Sequence, residues 1–252
     1  MLIRIEAEPG GFITVTDDCA EAALALARGE VVIGLQAEDA SDTSPWPAES
    51  WSGVSYYITD LEALEDVWYV REAYCRFHGR PLVIEENERF VLREMTEEDA
   101  EGILALYQDV QISRFLPAPG KDGAEIREKI GAYIRHVYGY YGCGMWVMTE
   151  PSTGAVIGRA GLEPETQQMS DGEISGFFLG YLIKTEYRRQ YLAEGACKAA
   201  ITFAWEHLYA EEIYCRISLD NQPSLALAKK LGFVWMAEDV YVLKNPAFSQ
   251  TV

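Results

Sequence analysis

No run in this 252-residue chain approaches eighteen consecutive apolar residues, and the pattern therefore predicts no membrane-spanning helix. Positive charge is scarce. The 21 Lys and Arg stand against 40 Asp and Glu, a formal net charge of −19, which argues against nucleic acid or an anionic membrane as partner. Cysteine is sparse and scattered: Cys19, Cys75, Cys143, Cys197 and Cys215 form no Cys-x-x-Cys pair. That fits reduced thiols in a cytoplasmic protein better than a disulfide framework or a zinc site. The opening "MLIRIEAEPGG" lacks a basic segment followed by an apolar run, so no signal peptide is expected. There is no internal repeat and no low-complexity tract. What is present is a 49% hydrophobic composition, enough to fill a core, at a length that suits one or two domains.

The pattern along the chain is α/β. "FITVT" (12–16) reads as a strand, and "DDCAEAALALARG" as a helix capped by Asp17 or Asp18 and stopped by Gly29. "EVVIGLQ" reads as a second strand, residues 37–54 as a loop and "VSYYIT" as a third strand. A long helix is expected from Asp60 to Gly79. Strands alternating with helices imply a small parallel sheet in residues 1–80. Pro81 marks a boundary. Beyond it "RFVLRE" reads as a strand, and Thr96 with Asp99 as a capping box before the helix "EEDAEGILALYQD". Residues 124–141 read as a Tyr-rich helix whose tyrosines pack on the sheet. "GMWVMTEPSTGAVIGRAGLE" reads as a hairpin turning at Pro151–Gly154, and "ISGFFLGYLI" as an apolar strand. A helix from about 189 to 208, the strand "EEIYCRISL" and the helix "NQPSLALAKKLGF", closed by Gly232, complete the pattern.

Chemistry concentrates at "TEYRRQYLAEGA". Arg188 and Arg189 stand at a helix N-terminus, where cations are normally unfavourable. Strand, basic turn and helix start together make an anion site, because the first N–H groups of a helix lack partners. Either a bound pyrophosphate offsets the repulsion, or both guanidinium groups turn to water.

From about Arg89 onward the chain resembles the GNAT acyl-CoA N-acyltransferases, in their ribosomal-protein N-terminal acetyltransferase-like branch. "FVLREMTEEDAEGILALYQD" is similar to the family's first strand and helix, and "GAVIGRAGLE" to its third strand. "LGYLIKTEYRRQYLAEGACKAAITFAWEHL" is similar to its fourth strand, pyrophosphate loop and long helix. "RISLDNQPSLALAKKLGF" is similar to its closing strand and Asn-x-x-Ser helix. The resemblance implies a GNAT-like mixed sheet flanked by helices over residues 85–252. It also implies acetyl-CoA as cosubstrate and transfer of its acetyl group to a primary amine by direct attack in a ternary complex, without a metal. The acceptor would be a small-molecule or peptide amine.

The family loop Gln/Arg-x-x-Gly-x-Gly/Ala falls on Arg188, Arg189, Gln190, Tyr191, Leu192 and Ala193, with Tyr191 at the glycine position. The helical run after Tyr191 predicts a negative φ there, its ring turned from the phosphates, and hence a loss of stability in Tyr191→Gly. Ile183 and Asn221 are expected beside the pantetheine arm, Asn221 also as a helix N-cap. Lys229 and Lys230 are expected on a solvated face, the alternative being contact with the nucleotide phosphate. This chain carries Phe178 where many members have a Glu, and Ala228 where many have a Tyr. Glu163, Glu173, Tyr181 and Ser224 remain as candidates for proton transfer, with Glu163 the expected base. An alternative is a degenerate GNAT that binds CoA or a protein without catalysis. Residues 1–80 resemble the last Rossmann-like unit of haloacid-dehalogenase-type hydrolases, without that family's Asp-x-Asp-x-Thr motif, and are expected to be a non-catalytic accessory domain.

Overall fold

The computed structural model describes residues 1–36, 51–170 and 172–248. Most of the expected 37–54 loop lies outside these. The chain divides into two compact units, Met1–Leu82 and Val83–Val252, each with its own sheet.

In the first unit, β1 (Leu2–Glu8), β2 (Gly11–Thr16), β3 (Val31–Leu35) and β4 (Tyr56–Ile58) lie in chain order. β1 is antiparallel to β2, and β2, β3 and β4 run parallel. Strand alternation sends Val31 and Ile33 to one core, with Val70, Ala73 and Tyr74 of α2 (Val67–Phe77), and Val32 to another, with Ala22 and Ala25 of α1 (Cys19–Ala27). Of the two candidate caps for α1, Asp18 serves, accepting from Ala20 N–H at 2.7 Å. The helix expected from Asp60 is broken. A 3₁₀ turn at Leu61–Glu65 ends at Asp66, which is extended and caps α2 anew. Two successive Asp caps within seven residues compete with a continuous helix.

The second unit is an eight-stranded sheet in the order β11-β12-β10-β9-β8-β7-β6-β5. Its strands are β5 (Val83–Glu86), β6 (Val91–Arg93), β7 (Met145–Thr149), β8 (Val156–Met169), β9 (Gly172–Ile183), β10 (Glu212–Arg216), β11 (Val234–Ala237) and β12 (Val240–Lys244). Between β6 and β7 come α3 (Ala100–Tyr107), α4 (Val110–Ser113), α5 (Gly123–Tyr133), a π-turn over Ile134–Tyr138 and the single turn α6 (Gly139–Tyr141). α7 (Leu192–Glu206) follows β9, and α8 (Gln222–Leu231) follows β10. The expected Thr96–Asp99 box forms, Thr96 N–H donating to Asp99 Oδ2 at 2.7 Å. The Tyr-rich segment is only partly internal: Tyr138 is buried, while Tyr140 is exposed.

Strand alternation in β8 assigns its two faces. Arg159 reaches Tyr107 of α3 (3.1 Å) and Glu163 reaches Tyr133 of α5 (2.9 Å). On the other face Ala160 pairs with Tyr181 of β9, whose hydroxyl donates to the Ser224 carbonyl of α8 (3.2 Å). Trp146 beside Ala160 meets Phe203 of α7, ring centroids 5.0 Å apart. β8 runs six residues past the expected end of its strand, through Pro164. That is tolerated because β7 stops pairing at Gly161, so Pro164 faces an open edge on that side.

Candidate active site

Two features of the sheet make a cleft. β9 and β10 are parallel neighbours, yet only Phe177 with Ile213 and Phe178 with Tyr214 are in register. Among the described residues the ladder goes no further, so β9 from Leu179 to Ile183 leaves the edge facing β10 open. Backbone amides on such an edge need partners, and an extended amide-bearing ligand can supply them as an added strand does.

The second feature is the turn leading from β9 to α7. After a 3₁₀ turn at Thr185–Tyr187, Arg188 is extended, and Arg189 and Tyr191 take left-handed φ values of 60° and 61°. Among the described residues the N–H groups of Arg189 to Glu194 have no acceptor. The first bond of α7 runs from Gly195 N–H to Tyr191 O at 3.0 Å. Successive unpaired N–H groups at a helix start form a concave anion cradle. Arg188, Arg189, Gln190 and Tyr191 are exposed, Leu192 is buried and Ala193 is half-buried.

The φ of Tyr191 corrects the expectation of a negative value. The chain must turn sharply from the 3₁₀ segment into the axis of α7, and position 191 carries that turn as glycine would. The ring is 68% exposed and lies under Lys230 Nζ, 5.0 Å from its centroid. Lys230 is also ion-paired with Glu194 at 2.5 Å, so it is engaged with the loop. Glu194 bonds Lys198 as well, and these two lysines hold its carboxyl below the usual range. The Arg89 guanidinium donates to the Gln190 carbonyl. Each L-residue in the left-handed region costs about 1–2 kcal/mol. The expected sign of Tyr191→Gly therefore reverses. The double variant Arg189→Gly/Tyr191→Gly is expected to gain about 1–2 kcal/mol in urea unfolding, after loss of the Lys230–ring contact and the entropy cost of glycine. Unchanged or lower stability would show that the turn is not strained.

Arg188 Nε donates to the Ile183 carbonyl at 3.3 Å, at the end of β9. Asp109, between α3 and α4, accepts from Thr185 N–H (3.2 Å) and Oγ1 (2.6 Å), and caps α4 through Gln111 N–H (2.8 Å). The Thr185 hydroxyl above all, with Arg188 contributing, holds the Asp109 carboxyl below its ordinary range.

On the opposite face of the sheet, Phe178 is buried against Tyr214, centroids 5.4 Å apart. Its cross-strand partner is Glu163, so the one carboxylate sits directly beside the position where the resemblance expects another. Glu163 is half-buried, and its Oε1 accepts from the Tyr133 hydroxyl at 2.9 Å. Cys143 nearby is fully buried, and burial, with the Glu163 charge, pushes its thiol up to about 12, so it stays protonated. Ser224 and Asn221 lie at the start of α8. Asn221 Oδ1 caps the Ser224 N–H at 3.4 Å, and Ser224 meets the Tyr181 hydroxyl. Glu173 lies on the far part of the β8–β9 hairpin, bonded to Gln168 at 2.5 Å, away from the cleft. Ala228 is buried. Tyr133 had no signal in the sequence beyond lying in a Tyr-rich stretch.

The sequence from 89 to 234 matches the acetyltransferase (GNAT) domain. YoaA of Bacillus subtilis (strain 168), named an uncharacterized N-acetyltransferase, is 25% identical over 148 residues, 59% of this chain and 81% of that protein. A ribosomal-protein-S5-alanine acetyltransferase from Vibrio fischeri superposes with a TM-score of 0.54 at 14% identity, covering 64% of this chain and 96% of that one. RimL, a ribosomal L7/L12 alpha-N-protein acetyltransferase, gives 0.52 at 15% identity, with 66% and 96% covered. At such identities the structures speak for the fold, and the sequence match spans more than half of the chain. The chain belongs to the GNAT acetyltransferase family and is an N-acetyltransferase.

Proposed function

We propose that the protein moves an acetyl group from acetyl-CoA to a primary amine by direct attack in a ternary complex, with no metal. The observation that carries this is the open edge of β9 leading straight into six unpartnered N–H groups at Arg189–Glu194. Amides of Leu179–Ile183 suit a pantetheine arm, and Asn221 borders it. The cradle of Arg189, Gln190, Tyr191, Leu192 and Ala193, with the Arg188 charge beside it, suits a pyrophosphate. Tyr191, which stands at the family's glycine position, holds the glycine conformation with its ring turned to solvent and Lys230. The site therefore fits the cosubstrate.

Acetyl-CoA supplies the activated thioester. The amine nitrogen bonds to the carbonyl carbon as the C–S bond breaks. Glu163 takes the proton that the amine sheds, and the Ser224 hydroxyl gives one to the departing thiolate. The acceptor is proposed to be a peptide or small-molecule amine, the peptide class being the one for which ribosomal-protein acetyltransferases of this fold are named. Calorimetric titration with acetyl-CoA, with thiol release over a panel of peptides and small amines, tests the proposal. Saturable binding and amine-dependent thiol release are expected. Binding without release to any amine would favour the CoA-binding module.

Residues 1–80 are proposed as a Rossmann-like, non-catalytic accessory domain of the cytoplasmic enzyme. Parallel strands with helices on both faces support the first part. Among the described residues the sheet runs in chain order, with no point where strand order reverses, which argues against a crevice of the kind that binds ligands in open α/β sheets. Residues 83–252 alone are expected to fold and to bind acetyl-CoA with the affinity of the full chain. Calorimetry on that fragment checks this, and a fragment that melts without cooperativity would overturn it.

A further inference from the structure

Tyr133 and Tyr138 are five residues apart, and on a regular α-helix they would point about 140° away from each other. The π-turn over Ile134–Tyr138 brings them to one side. Their rings meet edge to face, centroids 5.1 Å apart, and they grip the same residue of β7, Met145. Met145 N–H donates to the Tyr133 hydroxyl (2.8 Å), and the Tyr138 hydroxyl donates to the Met145 carbonyl (2.6 Å). Because Tyr133 oxygen accepts from Met145, its own hydrogen is left to point at Glu163 Oε1, 2.9 Å away. Gly144 makes room for this. A Cβ there would stand 2.8 Å from Tyr133 oxygen and 2.8 Å from Tyr138 Cε1. A π-turn interrupts α-helical bonding and is commonly found at functional sites.

We infer that Tyr133 is a positioning residue for catalysis: anchored to Met145, it holds the Glu163 carboxylate by one oxygen and leaves the other free to take the amine proton. The inference rests on Glu163 being the base. The groups facing Glu163 are Tyr133 from α5, the Cys143 thiol from the segment before β7, and the uncharged Phe178 ring from β9. Burial first, and the Glu163 charge second, push the Tyr133 phenol upward, so it remains a neutral donor. Without that donor the Glu163 carboxylate loses the contact that orients it.

The test uses the full chain with acetyl-CoA and the best amine from the panel. Tyr133→Phe is expected to lower kcat about 10-fold, a fraction of the general-base effect. KM for acetyl-CoA and for the amine should stay unchanged, so that the loss falls on kcat alone. Gly144→Ala should reproduce the kcat loss by displacing the phenol. Glu163→Gln separates the two claims. If Glu163→Gln is inactive while Tyr133→Phe has wild-type kcat, the positioning role is wrong and the base stands. If Glu163→Gln is fully active, the base assignment itself is wrong. A Tyr133→Phe protein that only melts at lower temperature, with its kcat intact, would make Tyr133 a purely structural clamp and overturn the inference.

Discussion

Glu163→Gln is expected to lower kcat about 10²–10⁴-fold, the usual contribution of a positioned general base, with acetyl-CoA affinity unchanged. The substitution keeps the volume of the side chain, and its amide oxygen still accepts from the Tyr133 hydroxyl at the 2.9 Å contact. Only the capacity to take a proton is lost. The variant must then use amine that has already shed its proton in water. Its rate should climb with pH toward the amine's own pKa, about 10.4 for a lysine side chain and about 8 for an α-amino group. The pH at which the rise levels off therefore distinguishes an α-amino group from a lysine side chain. Thiol release at saturating acetyl-CoA between pH 6 and 10, values chosen to bracket the α-amino range, measures both. A variant with the wild-type rate and profile removes Glu163 from the chemistry.

The carboxylate was legible in the sequence, but its support was not. Glu163 ends a run that resembles the family's third strand, so strand alternation alone places it on a face. That it lies across from Phe178 follows from a register that depends on the whole β8–β9 hairpin. The outer part of that hairpin is polar, carries Pro164, and reads as a loop, because β8 has only one neighbour there. The link from Tyr133 to Glu163 spans thirty residues and passes through a π-turn, which no local preference announces. Elements set by local chemistry were plain: α8 with Asn221 as cap, Pro223 in its first turn and Gly232 at φ 96°. β1, β5, β11 and β12 were not identified. β11 is an edge strand with Val234 and Trp235 exposed, so it shows no inward and outward alternation. Tyr191 misled for a related reason. The residues after it are clean helix, but its own φ is dictated by the turn that must precede them.

That turn also explains two arginines at a helix start. Arg188 is not part of the helix; it is extended, with Nε on the Ile183 carbonyl at 3.3 Å and the Asp109 charge nearby. Among the described residues its two terminal nitrogens have no acceptor. One edge of the guanidinium is thus anchored to the end of β9 while the other is left to the anion cradle. A planar fork held in this way loses little freedom on meeting a phosphate. Arg188→Ala is expected to weaken acetyl-CoA by about 1–3 kcal/mol, or roughly 5- to 150-fold in Kd, the scale of a charge-assisted hydrogen bond. Stability should move little, because the loss of the Ile183 contact is offset by removing a cation near the positive end of α7. Arg188→Lys keeps the charge without the fork and should fall between the two. Raising salt should narrow the gap between wild type and Arg188→Ala, since screening acts on the charge that only one of them carries. Calorimetry on the three proteins at two salt concentrations measures this. Equal affinity in wild type and Arg188→Ala would mean that the guanidinium stays on Ile183 and never meets the cosubstrate, leaving the backbone cradle to hold the pyrophosphate alone.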